Sequence, residues 1–203
     1  MNSEAQKTKA LRRMRVTRST RFQMAKRLEK KADVKSNSMN VLSMFTLFAG
    51  VLSLAYSVEI SADMAKLVGG FVIGVSALSI YLSHTDPVSR LAEGAFNAHE
   101  CGREISKIYT KLLNDRLEHA QALELYEEVL SNYDMNHDRC DYYLTIRLEP
   151  DLFPDNKKGS NWWNSTFATW LSVVSPAIYT TSGLAFIFII LTLFWYLTRI
   201  QIA

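Results

Sequence analysis

Asp, Glu, Lys and Arg are absent from three long stretches of this 203-residue chain, residues 36–58, 67–85 and 159–198. The hydrocarbon core of a bilayer is about 30 Å thick, and a helix of roughly 20 apolar residues crosses it. Each stretch is long enough for such a crossing. Because a backbone in lipid must satisfy its own hydrogen bonds, the sequence predicts an all-α integral membrane protein.

Proline, glycine and cysteine are also scarce, with 4, 8 and 2 residues. Residues 7–35 contain neither glycine nor proline, which favours an uninterrupted helix. We expect Cys101 and Cys140 as reduced thiols, because the region that holds them is predicted below to be cytosolic. No phosphate-binding loop, dinucleotide-binding fingerprint or HExxH motif occurs. The sequence therefore indicates neither an enzyme nor a bound cofactor.

Two groups of polar residues are compatible with chemistry but have simpler explanations. His99, Cys101, His137 and Cys140 are suitable zinc ligands, yet their spacing matches no common zinc finger, so we predict no metal site. Paired acids such as Glu100 and Glu104 fall on a predicted helix together with Arg and Lys, which is typical of a solvated face. We expect no catalytic residues.

Charge is distributed unevenly along the chain. Residues 1–40 hold twelve Lys and Arg against three acids, a net charge of +9, whereas residues 85–161 hold nine basic and fifteen acidic residues, a net charge of −6. By the positive-inside rule, the basic start places the N-terminus in the cytoplasm. Three crossings then place residues 85–161 in the cytoplasm and the C-terminus outside.

The sequence divides into five predicted segments. They are a basic amphipathic cytoplasmic helix (1–38), a transmembrane hairpin (39–84, with spans at about 39–58 and 67–83), a cytoplasmic helical region (85–161), an interfacial aromatic segment (162–175) and a third transmembrane helix (177–198). Pro176 separates the last two, which are alternatively one kinked helix. The basic helix is expected to lie on an anionic leaflet or only to set the topology. Its single aromatic residue, Phe22, argues against nucleic-acid binding.

The first span carries a stripe of small and hydroxylated residues at intervals of three and four. Its members are Ser43, Thr46, Gly50, Ser53 and Ser57. Such a stripe allows a neighbouring helix to approach closely, or lines a water path when several copies assemble. Both interpretations make the stripe an interface and not a lipid-facing surface.

The second span and the hairpin turn contain further candidate residues. Gly70 and Gly74 form a G-x-x-x-G step, which predicts close packing within the hairpin. Glu59 and Asp63 lie at the outer end of the hairpin. In an oligomer they would form an acidic ring that favours cations, although a hairpin turn also needs polar residues to stay out of lipid.

A long helix with a coiled-coil-like seam is predicted to follow Pro87 and to reach about Tyr133. Apolar and small residues repeat along it at a period near 3.5. The seam residues are Ala95, Ala98, Gly102, Ile105, Tyr109 and Leu112. The seam packs either within the chain or between subunits. We favour subunits, alone or together with the N-terminal helix, because little else is available to cover it.

The order of these parts resembles a known family. Residues 18–29 read RSTRFQMAKRLE, residues 90–101 read RLAEGAFNAHEC and residues 133–142 read YDMNHDRCDY. This pattern resembles the SLATT proteins, two-transmembrane effectors found beside nucleotide-second-messenger and related conflict systems in bacteria. It looks most like the branch that accompanies reverse transcriptases and can carry an extra C-terminal span. The resemblance covers about residues 10–145 and implies a defence effector that forms membrane pores, without catalytic residues.

These observations predict a homo-oligomeric effector of an anti-phage defence system that forms a pore or depolarises the bacterial inner membrane when triggered. The alternative is a non-conducting anchor or scaffold that binds a cytoplasmic partner through helix 88–133. Expected partners are anionic lipids, further copies of the chain, and a conflict-system component such as a reverse transcriptase or its product. Direct binding to nucleic acid is not expected. A mitochondrial protein with a cleaved N-terminal leader is a third possibility.

Overall fold

The fold is known from a computed structural model of the chain. It describes residues 3–55, 62–85, 87–133, 135–136 and 138–153, and within the C-terminal part residues 166–167, 170, 173–175, 177–178, 180–185 and 188. Every regular element in this part of the chain is helical. The predicted all-α fold class is confirmed.

Up to residue 153, the described residues form five α-helices and one short 3-10 turn. They are α1 (Ser3–Ala55), α2 (Ala62–His84), α3 (Val88–Leu113), α4 (His119–Asn132), α5 (Arg139–Leu148) and the 3-10 turn Pro150–Leu152. The predicted basic helix and the first predicted span are one continuous helix, α1, of 53 residues. This continuity follows from good helix formers and the absence of proline throughout α1.

The chain forms two compact units. The first unit contains residues 1–30 and 89–173, and the second unit contains residues 31–88 and 174–203. Helix α1 therefore supplies its basic half to the first unit and its apolar half to the second.

The core of the first unit is built by three helices. Met14 of α1 packs with Ile105 and Leu112 of α3 and with Tyr126 of α4, and all four side chains are buried. Burying a large apolar side chain stabilises a fold by about 1.5–3 kcal/mol. A second cluster joins α1 and α3 through Met24, Ala25 and Ala98. The basic half of α1 is thus a core element of this unit.

The predicted long helix 88–133 is interrupted. Asp115 adopts a left-handed backbone conformation, with φ of 55°. The Arg116 amide donates to the Lys111 carbonyl at 2.9 Å, and the Asp115 amide donates to the Leu112 carbonyl at 3.3 Å. These two bonds form a Schellman C-cap, which ends α3. The stretch is therefore a helical hairpin of α3 and α4.

The second unit contains a smaller core. Leu42 of α1 packs with Val75 and Leu82 of α2, and Leu184 lies against this cluster. Among the described residues, one helical segment is long and apolar enough to cross a membrane, with a mean hydropathy of 1.7 over its most apolar part. That part lies in α2, since α3 carries many charged residues.

Candidate functional site

The polar stripe on α1 flanks the contact between α1 and α2. At 3.6 residues per turn, Thr46, Gly50 and Ser43 lie about 40°, 80° and 100° around the helix from the buried Leu42. Ser43 is exposed, whereas Thr46 and Gly50 are half-buried. The Thr46 hydroxyl donates to the Leu42 carbonyl at 3.0 Å. The side chain of Ser53 and the whole of Ser57 lie outside the described residues.

A continuous apolar surface covers the far side of the same helix segment. Met44 and Leu47 expose 72% and 70% of their surface, and Phe48 and Val51 are exposed beside them. Soluble monomers seldom present large side chains in such a contiguous patch. This half of α1 therefore has three faces, which are a packed face, a polar flank and an apolar outer face.

The contact within the hairpin uses a different face of α2 from the glycine step. Val75 and Leu82 are buried against α1, while Gly70 is exposed and Gly74 is half-buried. A Cβ atom added to Gly183 would lie 2.5 Å from Leu78, so the C-terminal helical residues approach α2 closely. Among the described residues, Gly70 is exposed and takes no part in the contact between α1 and α2.

The acids predicted for the outer mouth are only partly described. Glu59 lies outside the described residues, and Asp63 is exposed in the first turn of α2. The Lys66 ammonium donates to the Asp63 carboxylate at 3.1 Å. Lys66 therefore offsets the negative charge that Asp63 would contribute to an acidic ring in an oligomer. The sequence prediction did not consider Lys66 as a partner of Asp63.

The seam residues lie inside the first unit. Ala98, Ile105 and Leu112 are buried by helices of the same chain, and a Cβ atom at Gly102 would lie 2.9 Å from the Phe22 ring. Ala95 and Tyr109 are half-buried, and Arg18 stacks on the Tyr109 ring at 5.0 Å. Within the chain, the basic half of α1 covers these seam residues.

Ion pairs tie the basic half of α1 to the acidic middle region. The pairs are Lys7–Asp115, Arg13–Glu127 (2.8 Å), Arg15–Glu149 (2.9 Å) and Arg27–Asp138 (2.9 Å). Exposed pairs of this kind contribute only about 0–1 kcal/mol each. Together they nevertheless join cations of α1 to acids of the middle region, in line with the opposite net charges of the two segments. The sequence contained this signal, but the prediction considered only binding to an anionic leaflet or a role in setting the topology.

A fifth ion pair, between Arg27 and Asp141, is buried. Arg27 donates from Nε to Asp141 Oδ1 at 2.7 Å and from Nη2 to Oδ2 at 2.9 Å, and the two residues expose only 6% and 1% of their side chains. Burial alone would lower the pKa of Arg27, but its hydrogen bonds to Asp141 and the charge of that carboxylate raise the pKa above the usual value. We refer to this bidentate pair as the Arg27–Asp141 clasp.

The clasp also organises the start of α5. The Asp138 amide donates to Asp141 Oδ2 at 3.1 Å, so one carboxylate serves both α1 and the first turn of α5. Asp138, Cys140 and Asp141 bring their ligand atoms within 4.8 Å of one another. However, Arg27 already occupies both carboxylates, and burial raises the pKa of the Cys140 thiol. These three groups therefore fit a guanidinium and not a metal ion.

The residues considered for zinc have other environments. The His99 ring packs against Phe22 at 5.4 Å, and Cys101 lies in the apolar core. Burial raises the pKa of the Cys101 thiol above its usual range. Cys101 and Cys140 are both free and buried, while His137 lies outside the described residues.

Comparison with known proteins identifies the family. The sequence profile of the SMODS and SLOG-associating 2TM effector domain family 5 matches residues 3–197. Searches among curated proteins and among solved structures gave no match. The matched region covers most of both units. The chain therefore belongs to the SMODS and SLOG-associating 2TM effector domain family 5.

Proposed function

We propose that this membrane effector assembles into homo-oligomers through its second unit and conducts ions across the bacterial inner membrane when it is triggered. The observation that carries the proposal is the division of residues 43–51 of α1 into a polar flank and an exposed apolar face. The apolar face suits lipid, and the polar flank suits a second protein surface or water.

An oligomer is needed for conduction on physical grounds. One hairpin of α1 and α2 places two helices side by side, and two helices cannot enclose a water path. Several copies of the chain could surround a water path if each copy turned Ser43, Thr46 and Gly50 towards it. The exposed Gly70 then offers a site where helices of neighbouring copies approach closely.

The arrangement of the first unit supports a hairpin topology. Residues 3–30 and 89–153 pack together, and residues 31–88 connect them. A connecting segment that leaves and returns to one compact body crosses a membrane an even number of times. From this and the positive-inside rule, we propose that the first unit is cytoplasmic and that a third crossing at 177–198 leaves the C-terminus outside.

We propose that the first unit receives the trigger and has no catalytic role. We propose that a conflict-system component, such as a reverse transcriptase or its product, acts on this unit. The alternative of a non-conducting scaffold has less support, because the apolar face of helix 88–133 is covered by α1 of the same chain.

The test is membrane potential and dye entry in bacteria after a short induced pulse of the chain. High expression should populate the assembled state by mass action. The stripe variant carries Ser43→Ala, Thr46→Val, Ser53→Ala and Ser57→Ala. The matched control, Met44→Leu, Leu47→Met, Phe48→Leu and Val51→Ile, makes four exchanges on the apolar outer face.

We expect the wild type and the control to depolarise the cells and the stripe variant to assemble without depolarising them. Equal depolarisation by all three chains would contradict the stripe as the lining. A wild type that never depolarises cells, or that stays monomeric in every mild detergent, would contradict the proposed pore.

A further inference from the structure

A pocket of about 500 Å³ opens on the first unit, beside α3 and away from the apolar core. Most of its wall comes from α3, while Phe22 of α1 adds an aromatic ring and Arg116 lies in the turn that follows α3. The lining holds four cationic side chains and no carboxylate. We refer to it as the basic pocket.

Two parallel rows of side chains form the α3 wall. Arg103, Lys107 and Lys111 follow one another at intervals of four residues, so the first and last of their Cα atoms lie about 12 Å apart along the helix axis. The second row consists of neutral hydrogen-bonding residues at the same interval, including Thr110. The pocket therefore offers an extended strip of positive charge beside a strip of neutral polar groups.

The positive charge of this strip is largely uncompensated. Arg103 contacts the Glu100 carboxylate at 3.0 Å, and that pair is exposed. Among the residues that the structure describes, Lys107, Lys111 and Arg116 take part in no ion pair. Asp115, next to Arg116, is paired with Lys7, and Glu104, next to Arg103, is half-buried and is not part of the pocket lining. Protein carboxylates thus leave most of the pocket's cations free for a ligand.

The helix end beside the pocket does not oppose an anion strongly. A helix C-terminus carries partial negative charge on its last carbonyl groups. At the end of α3, the Thr110, Lys111 and Leu112 carbonyls accept hydrogen bonds from the turn at residues 114–116. The cationic side chains of Lys111 and Arg116 further offset that charge.

We propose that the basic pocket binds a soluble organic phosphate of nucleotide size. Ligand pockets for small molecules typically enclose about 300–1,000 Å³, and this one lies within that range. Lys and Arg bind phosphate oxygens by charge-assisted hydrogen bonds. The Phe22 ring, held in place against Gly102, supplies a surface for the apolar or aromatic part of the ligand. This site does not depend on whether the second unit conducts ions.

The test uses the purified full-length chain in detergent micelles at constant ionic strength. Isothermal titration calorimetry with ATP, AMP and inorganic pyrophosphate measures binding of soluble phosphates. Flotation with phosphatidylcholine vesicles, with and without phosphatidylglycerol, measures binding to anionic lipid. The pocket variant is Lys107→Glu with Lys111→Glu, and the control with the same charge change is Lys9→Glu with Lys30→Glu. All four lysines are exposed, so these substitutions should leave the fold intact.

We expect ATP to bind the wild type and the control with affinities within threefold of each other, and the pocket variant at least tenfold more weakly. Phe22→Leu should weaken ATP and AMP binding while leaving pyrophosphate binding unchanged.

Three results would overturn the proposal. These are no binding of any soluble phosphate, equal weakening in the pocket variant and the control, and binding of phosphatidylglycerol vesicles without binding of ATP. Equal loss of ATP and pyrophosphate binding in Phe22→Leu would contradict the proposed contact between Phe22 and the organic part of the ligand.

Discussion

At the scale of single residues, the Arg27–Asp141 clasp is the strongest polar contact between α1 and the middle region. It joins positions 114 residues apart in sequence, through a bidentate pair of hydrogen bonds. Nothing in the local sequence distinguishes Arg27 from the other eleven Lys and Arg of residues 1–40. Its role depends on burial, which only the packing of α1 on α5 creates. The sequence therefore indicates that a cation of residues 1–40 can pair with an acid of the middle region, but it does not indicate which two residues form the buried pair.

Removing one partner of the clasp should destabilise the first unit strongly. Arg27→Met leaves the Asp141 carboxylate buried without its cation, and we expect a loss of about 3–5 kcal/mol in the free energy of unfolding. Asp141→Leu alone should cost a similar amount. The double variant Arg27→Met/Asp141→Leu should recover much of the loss, because no uncompensated charge remains. Thermal unfolding in detergent measures all three, and additive losses in the double variant would contradict the clasp.

The buried thiols make a second prediction at this scale, which concerns pH. Burial raises the pKa of the Cys101 and Cys140 thiols above the ordinary value for cysteine. Between the unfolded and the folded pKa, the folded chain binds more protons than the unfolded chain, so stability falls as pH rises. We expect the melting temperature to decrease above about pH 9 and to decrease less in Cys101→Ala/Cys140→Ala. An equal decrease in both proteins would show that groups other than these two thiols cause the loss of stability at alkaline pH.

Two glycines on different helices provide a matched test of packing. A Cβ at Gly102 would meet the Phe22 ring at 2.9 Å, whereas a Cβ at Gly69 would meet nothing within 4 Å. Overpacking costs about 1–3 kcal/mol, while alanine is favoured over glycine in a helix by about 1 kcal/mol. Gly69→Ala should therefore keep or raise the melting temperature, and Gly102→Ala should give a lower melting temperature than Gly69→Ala. The reverse order would contradict the close approach of α1 and α3.

At the scale of elements, the sequence predicted the helical class and the approximate helical segments better than their ends. The apolar half of α1 and most of α2 were recognisable because charged residues are absent from residues 36–55 and 67–84. The break between α3 and α4 was missed, because the left-handed position that ends α3 is occupied by Asp115 and not by glycine. The apolar period continues on both sides of the turn, so periodicity alone could not reveal it.

Asp115 should tolerate substitution only by residues that accept the left-handed conformation. Asp115→Val places a β-branched side chain at φ of 55°, and we expect it to destabilise the first unit by about 1–2 kcal/mol. Asp115→Asn serves as the control, because asparagine accepts this conformation and only the exposed pair with Lys7 is lost. Chemical denaturation in detergent, monitored by circular dichroism, compares the two. Equal effects would mean that the charge, and not the backbone, matters at this position.

At the scale of the whole molecule, the opposite charges of residues 1–40 and 85–161 are explained by packing within the chain. Four ion pairs and the buried cluster around Met14 join the two segments. From the sequence, the same amphipathic pattern was predicted to lie on an anionic leaflet or only to set the topology, because an apolar stripe flanked by cations is typical of a lipid-bound helix as well as of a packed one. Only the position of α3 and α4 against that stripe distinguishes them. The charge asymmetry is thus a folding signal as well as a topology signal.

Met14 distinguishes a basic helix packed against α3 and α4 from a basic helix that lies on lipid. It is fully buried, with 0% of its surface exposed, among residues of α1, α3 and α4. Met14→Asp buries an unpaired carboxylate there, so residues 89–153 should become sensitive to protease in membrane vesicles that present the cytoplasmic side. The exposed control Lys9→Glu, which also adds negative charge to α1, should leave them resistant. If α1 instead lay on lipid, Met14→Asp would weaken its membrane contact without exposing residues 89–153, and the core assigned to the first unit would be wrong.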